Sequence, residues 1–122
     1  MHSSKPFSRN QRLEIEVMSI LSESILTSIN IPKDILVTIS DVKLTKDLKI
    51  AKVFFSYLST KEEFTSDSVL RILNSDKKNI RYFLGTNLRS KYVPELRFYF
   101  DNSYKEFEKI DKIVKDIKFS KQ

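Results

Sequence analysis

The sequence has no cysteine, which excludes disulfides, thiolate metal sites and cysteine nucleophiles together and suits a reducing compartment. Its one glycine, Gly85, leaves no glycine-rich loop to cradle a nucleotide. Its one histidine, His2, stands in an expected frayed end, so no Ser-His-Asp set can be assembled and no catalysis is expected. No apolar run approaches the roughly 18 residues that cross a bilayer. The segment Met1-His2-Ser3-Ser4-Lys5-Pro6 has no apolar signal core, and the cytoplasm is the expected location. The acids Asp41, Asp47, Glu62 and Glu63 fall on separate turns without ligand spacing, so neither a metal nor a cofactor is expected.

What is present is basic charge, unevenly placed. The chain of 122 residues has the length of one domain and a formal charge of +6. Arg71, Lys77, Lys78, Arg81, Arg89, Lys91 and Arg97 face only Asp76 and Glu95 within a single span, which therefore holds most of that charge. Residues 13–70, in contrast, carry nine acids against six bases. An acidic half joined to a basic half reserves a face for an anionic partner, and nucleic acid is the first to consider.

Apolar periodicity divides the chain into elements. Ser8 and Gln11 make a capping box ahead of Leu13, Val17, Ile20, Leu21, Ile25 and Ile29, which predicts a helix from about Arg9 to Ile29, ended by Pro32. Leu36–Leu44 and Lys49–Leu58 are rich in Val, Ile, Thr, Phe and Tyr, and Thr45-Lys46-Asp47-Leu48 between them predicts a hairpin. In the first strand Val37 and Ile39 are out of step with Val42 and Leu44, which a bulge near Asp41 reconciles.

Val69, Ile72 and Leu73, then Ile80, Phe83, Leu84 and Leu88, carry a helical period across the polar stretch Asn74-Ser75-Asp76-Lys77-Lys78-Asn79. Asn, Ser and Asp cap helices better than they extend them, so two helices are predicted, with Ser75 or Asp76 near the second N-cap. Gly85 is read as a close-packing contact. Beyond Pro94, Glu95–Phe100 alternates as a strand, with Leu96, Phe98 and Phe100 on one face and Arg97 and Tyr99 on the other. Ser103 and Glu106 make a second capping box, opening a last amphipathic helix through Phe107, Ile110, Val114 and Ile117.

Helix, strand, strand, helix, helix, strand, helix is the order of a type II KH domain with a helix added, so an α+β fold is expected. Flexible tails are assigned to residues 1–8 and 119–122, and the KH-like domain to residues 9–118. The chain resembles the ribosome-binding factor A family from about Phe7 to Val114. The resemblance rests on Arg9-x-x-Arg12, on Asp41-Val42-Lys43-Leu44-Thr45-Lys46-Asp47-Leu48 with Ala51-Lys52-Val53, and on Ile80-Arg81-x-x-Leu84-Gly85-x-x-Leu88. Val93-Pro94-Glu95-Leu96-x-Phe98 and Asp101-Asn102-Ser103 complete it. Each motif alone is weak, but their order and spacing are specific.

The resemblance implies a non-enzymatic, monomeric RNA-binding protein. Such a protein docks on 16S rRNA of the free 30S subunit during late maturation and rRNA processing, and supports growth in the cold. Members have an Ala-x-Gly turn in a helix-kink-helix; Asp76-Lys77-Lys78 stands at that place here, placing a negative charge where a phosphate is expected. Phe107 stands where many relatives have glycine and is read as a core change.

The candidate RNA-binding residues are Arg9, Arg12, Lys77, Lys78, Arg81, Arg89, Lys91 and Arg97. Arg9 and Arg12 lie one helical turn apart and are favoured as phosphate contacts over partners of Glu14 or Glu16. Lys77, Lys78 and Arg81 begin the second half-helix, where dipole and charge both attract an anion. Arg89 and Lys91 are equally suited to capping a helix C-terminus, and Arg97 suits either role. Tyr82, Tyr92 and Tyr99 offer stacking surfaces, but the favoured reading is a packed ring with a partnered hydroxyl. Other readings are a KH-like module for another RNA and a protein-binding adaptor.

Overall fold

Val17, Ile20, Leu21, Ser24 and Ile25 recur at helical spacing and form the buried stripe of α1, Arg9–Thr27, in the computed structural model, which describes residues 9–103. The helix ends two residues earlier than its periodicity suggests. Ser28 and Asn30 direct their side chains to Asp76, at 2.7 and 2.8 Å, and such contacts compete with helix continuation. Ile29, expected in the core, is consequently 96% exposed, and Ile31 is buried instead.

Strand β1, Ile35–Leu44, pairs antiparallel with β2, Ile50–Ser59. The expected bulge is present: the register shifts between Ile39 and Asp41, so Ser40 is the extra residue. This insertion returns Val42 to the face shared by Ile35, Val37 and Ile39. Parallel pairing of β2 with β3, Glu95–Phe100, needs a crossover, which α2, Ser66–Ser75, and α3, Lys77–Asn87, provide. The sheet order is β1-β2-β3.

Helix α1 packs on β1 and α3, and α2 packs on β3. Val17, Leu21, Ala51, Val53, Phe55, Leu73, Leu84 and Leu96 are fully inaccessible at the centre of this layer. The Phe55 ring meets Phe100 edge-on at 5.7 Å between centroids, a burial that contributes about 2–3 kcal/mol. Helix α2 begins with a capping box that the sequence reading missed, in which Thr65 and Ser68 each accept the other's backbone N–H. A serine in place of the usual Glu or Gln hides the pattern.

Gly85 fits its assigned role. A Cβ there would stand 3.2 Å from Cγ2 of Val93, closer than two carbons normally approach, so α3 and the segment after it pack at glycine distance. Among the described residues no helix is long and apolar enough to cross a membrane. The N-terminal tail with Ser8, the last helix with Phe107, Ile110, Val114 and Ile117, and the tail at 119–122 lie outside the described residues.

Candidate nucleic-acid interface

Three segments remote in sequence converge at one end of the sheet. The first turns of α1 bring Arg9 and Arg12, the β1–β2 turn brings Lys49, and α3 with the segment behind it brings Arg81, Arg89 and Lys91. Together they line a cleft of about 930 Å³. Five of the eight candidate cations therefore meet in one place. Lys49 was not among them, because it belongs to the acid-rich part of the chain, where averaged charge conceals a base that the hairpin delivers to the basic face.

Glu16, Asp47 and Glu95 also border this cleft, and each carboxylate is engaged within the protein. Glu16 accepts the backbone N–H of Arg89 at 3.1 Å, fixing the α3–β3 segment to α1. Asp47 accepts the Thr45 hydroxyl at 2.6 Å and the Lys49 N–H at 3.1 Å, which hold its carboxyl below the usual range. Glu95 faces Arg97 at 3.5 Å. Glu14 accepts the Leu44 N–H at 2.7 Å. Glu14 and Glu16 of α1 thus serve as tertiary anchors, and among the described residues no ion pair occupies Arg9 or Arg12. The turn itself places Leu48 in the left-handed region, with φ of 62°, against the cleft wall.

Arg81 has a structural duty that its place in the sequence did not reveal. Its Nε donates to the Pro94 carbonyl at 3.1 Å and its Nη2 to the Val93 carbonyl at 3.0 Å. These bonds secure the segment leading into β3 while leaving guanidinium N–H groups facing the cleft. On the other side of Arg81 a second cleft opens, lined by Lys78, Tyr82, Gly85, Lys91 and Tyr92. Tyr82 and Tyr92 are 75% and 73% exposed, which corrects the expectation of packed rings. An exposed face of α3 and an irregular segment carry them outward, whereas Tyr57 donates to the Phe64 carbonyl at 3.3 Å and Tyr99 stacks on Phe54.

Lys77 and Arg97 lie outside both clefts. The Lys77 ammonium stands 6.0 Å from the centroid of the Phe98 ring, a cation–π placement that occupies it within the fold. Arg97 is on the open face of the sheet, in register with Lys52, which is itself opposite Lys43. Three cations in a row across three strands repel one another, and Asp41 at 3.8 Å from Lys43 and Glu95 beside Arg97 partly compensate.

Asp76 does not present its charge to a ligand. The residue separates α2 from α3 with φ −96° and ψ 1°, and it is only 3% exposed. Its N–H still reaches the Ile72 and Leu73 carbonyls and its own carbonyl accepts the Ile80 N–H, so the break is confined to one residue. The side chain makes no N-cap bond; it accepts from Ser28, Asn30 and Asn79. Burial pushes the carboxyl up, but the bonds from Asn79, Ser28 and Asn30 outweigh it and hold the group below its ordinary value. The negative charge at the start of α3 already answers the helix dipole from within the chain.

The family model described as Ribosome-binding factor A matches residues 9–114. Ribosome-binding factor A of Thermodesulfovibrio yellowstonii is 38% identical over 114 residues, spanning 93% of this chain and 94% of that protein. The solution structure of a putative ribosome binding factor A from Thermotoga maritima is 39% identical, with a TM-score of 0.63 over 79% of this chain and 90% of that one. A homology-based structure of the Thermus thermophilus factor, fitted into a cryo-electron-microscopy map of its complex with 30S, has the same fold. It aligns with a TM-score of 0.61 at 23% identity, covering 75% of this chain and 93% of that one. The matched region includes every side chain lining the two clefts, and the chain belongs to the ribosome-binding factor A family.

Proposed function

We propose that this chain binds 16S rRNA of the free 30S subunit in the cytoplasm during late maturation, as a monomer and without catalysis, cofactor or metal. In this reading it supports rRNA processing and growth in the cold. The observation that carries the reading is the convergence of Arg9, Arg12, Lys49, Arg81, Arg89 and Lys91 on one cleft whose carboxylates are already engaged. Phosphates entering such a cleft release counterions, so affinity falls steeply with salt. The 30S complex of the Thermus thermophilus relative supports the choice of subunit. The described part of the KH-like domain, residues 9–103, supplies the frame that fixes the cations relative to one another.

Sucrose-gradient sedimentation of tagged protein tests this: it travels with free 30S subunits, and substitution of Arg12 and Arg89 by alanine releases it at moderate salt. Absence of the unaltered protein from the 30S fraction overturns the reading. Retention of the doubly substituted protein at unchanged salt dependence removes the cleft as the contact surface.

A further inference from the structure

The two clefts differ in a way that bears on what form of RNA they accept. The larger one contains three carboxylates, whereas the smaller one has none. It presents Lys78, Arg81 and Lys91 together with the rings of Tyr82 and Tyr92, the most exposed tyrosines among the described residues. Gly85 lets α3 pack closely against Val93, and both residues line this cleft of about 670 Å³. Arg81, fixed by the carbonyls of Val93 and Pro94, holds its charge in place at the boundary of the two clefts.

We propose that this smaller cleft takes unpaired nucleotides, stacking bases on Tyr82 and Tyr92 while Lys78, Arg81 and Lys91 hold the adjoining phosphates. The inference rests on the reading that the basic face binds RNA, and it specifies that the RNA there is single-stranded. A duplex offers phosphates but keeps its base faces stacked on one another, so it gains from the cations and nothing from the rings. A single strand gains from both, because every base has a face to stack. Tyrosine rings exposed to this degree cost apolar hydration in the free protein, which a stacked base removes.

The test is fluorescence anisotropy of the full chain with a labelled short oligouridylate and with a labelled blunt-ended RNA duplex of matched length. The unaltered protein binds the single strand more tightly. Tyr82→Ala with Tyr92→Ala weakens single-strand binding on the order of tenfold for each ring lost and leaves duplex binding unchanged, while the two Tyr→Phe changes retain affinity. Both side chains are largely in solvent, so the fold does not depend on them. Equal losses on both RNAs, equal affinity of the unaltered protein for both, or a loss in the phenylalanine variants matching that in the alanine variants overturns the stacking proposal while RNA binding stands. Failure of the unaltered protein to bind either RNA overturns the proposal together with the reading beneath it.

Discussion

The Asp76 carboxylate accepts the Ser28 hydroxyl at 2.7 Å, joining the junction of α2 and α3 to the residue that follows α1. Bonds from Asn30 at 2.8 Å and Asn79 at 2.9 Å complete a latch on which both helix ends depend. Hydrogen bonds to a charged acceptor contribute about 1.5–3 kcal/mol each, though the exposed asparagines recover water when released. Asp76→Ala is expected to cost about 2–4 kcal/mol, read as a lower urea midpoint at unchanged slope. A midpoint equal to that of the unaltered protein would falsify the latch.

Acid sensitivity follows from the same carboxylate. Its folded-state value is lowered beneath the ordinary 3.8, so the unfolded chain binds the proton more readily. The contribution is therefore fully present above about pH 4 and is lost as pH falls through the folded value. Stability measured by urea at descending pH should decline below that point, and Asp76→Asn should flatten the decline. Identical slopes for the two proteins would assign the acid sensitivity elsewhere.

Arg81 and Arg89 are expected to respond differently to lysine. Arg81 spans two carbonyls with one planar group, which a lysine ammonium cannot reproduce, so Arg81→Lys should lower stability by about 1–2 kcal/mol and weaken RNA binding. Arg89 is held through its backbone N–H, which any residue supplies, so Arg89→Lys should leave the urea midpoint in place. Equal midpoint shifts in the two variants would contradict the assignment.

Leu48 has a left-handed backbone at φ 62° in the β1–β2 turn. That conformation costs a branched side chain roughly 1–2 kcal/mol, whereas glycine adopts it freely at an entropic cost of about 0.5–1 kcal/mol. Leu48→Gly should therefore raise stability by up to about 1 kcal/mol, measured as a higher thermal midpoint. A lower midpoint would mean that the half-buried side chain contributes more than the strain removes.

Much of the fold was legible because it is written in local periodicity. The alternation of Ala51, Val53, Phe55 and Tyr57 placed β2, and the phase error between Ile39 and Val42 located the bulge that Ser40 forms. The break at Asp76 was legible in the poor helix propensity of Asn74-Ser75-Asp76. Ile29 misled because its spacing was helical, while the competing bonds of Ser28 and Asn30 involve Asp76, more than forty residues away.

The sequence by itself determined the element order from α1 to β3, the identity of the basic residues and the bulk of the core, since each depends on neighbours within a turn or a strand. Only the tertiary structure decided what those bases do. It sent Lys77 to the ring of Phe98 and Arg97 to the open sheet, buried Asp76, and brought Lys49 from an acidic stretch to Arg9, Arg12, Arg89 and Lys91. Such convergence joins residues that are far apart along the chain. It is fixed by how the helices pack on the sheet, a relation that no local pattern of charge encodes.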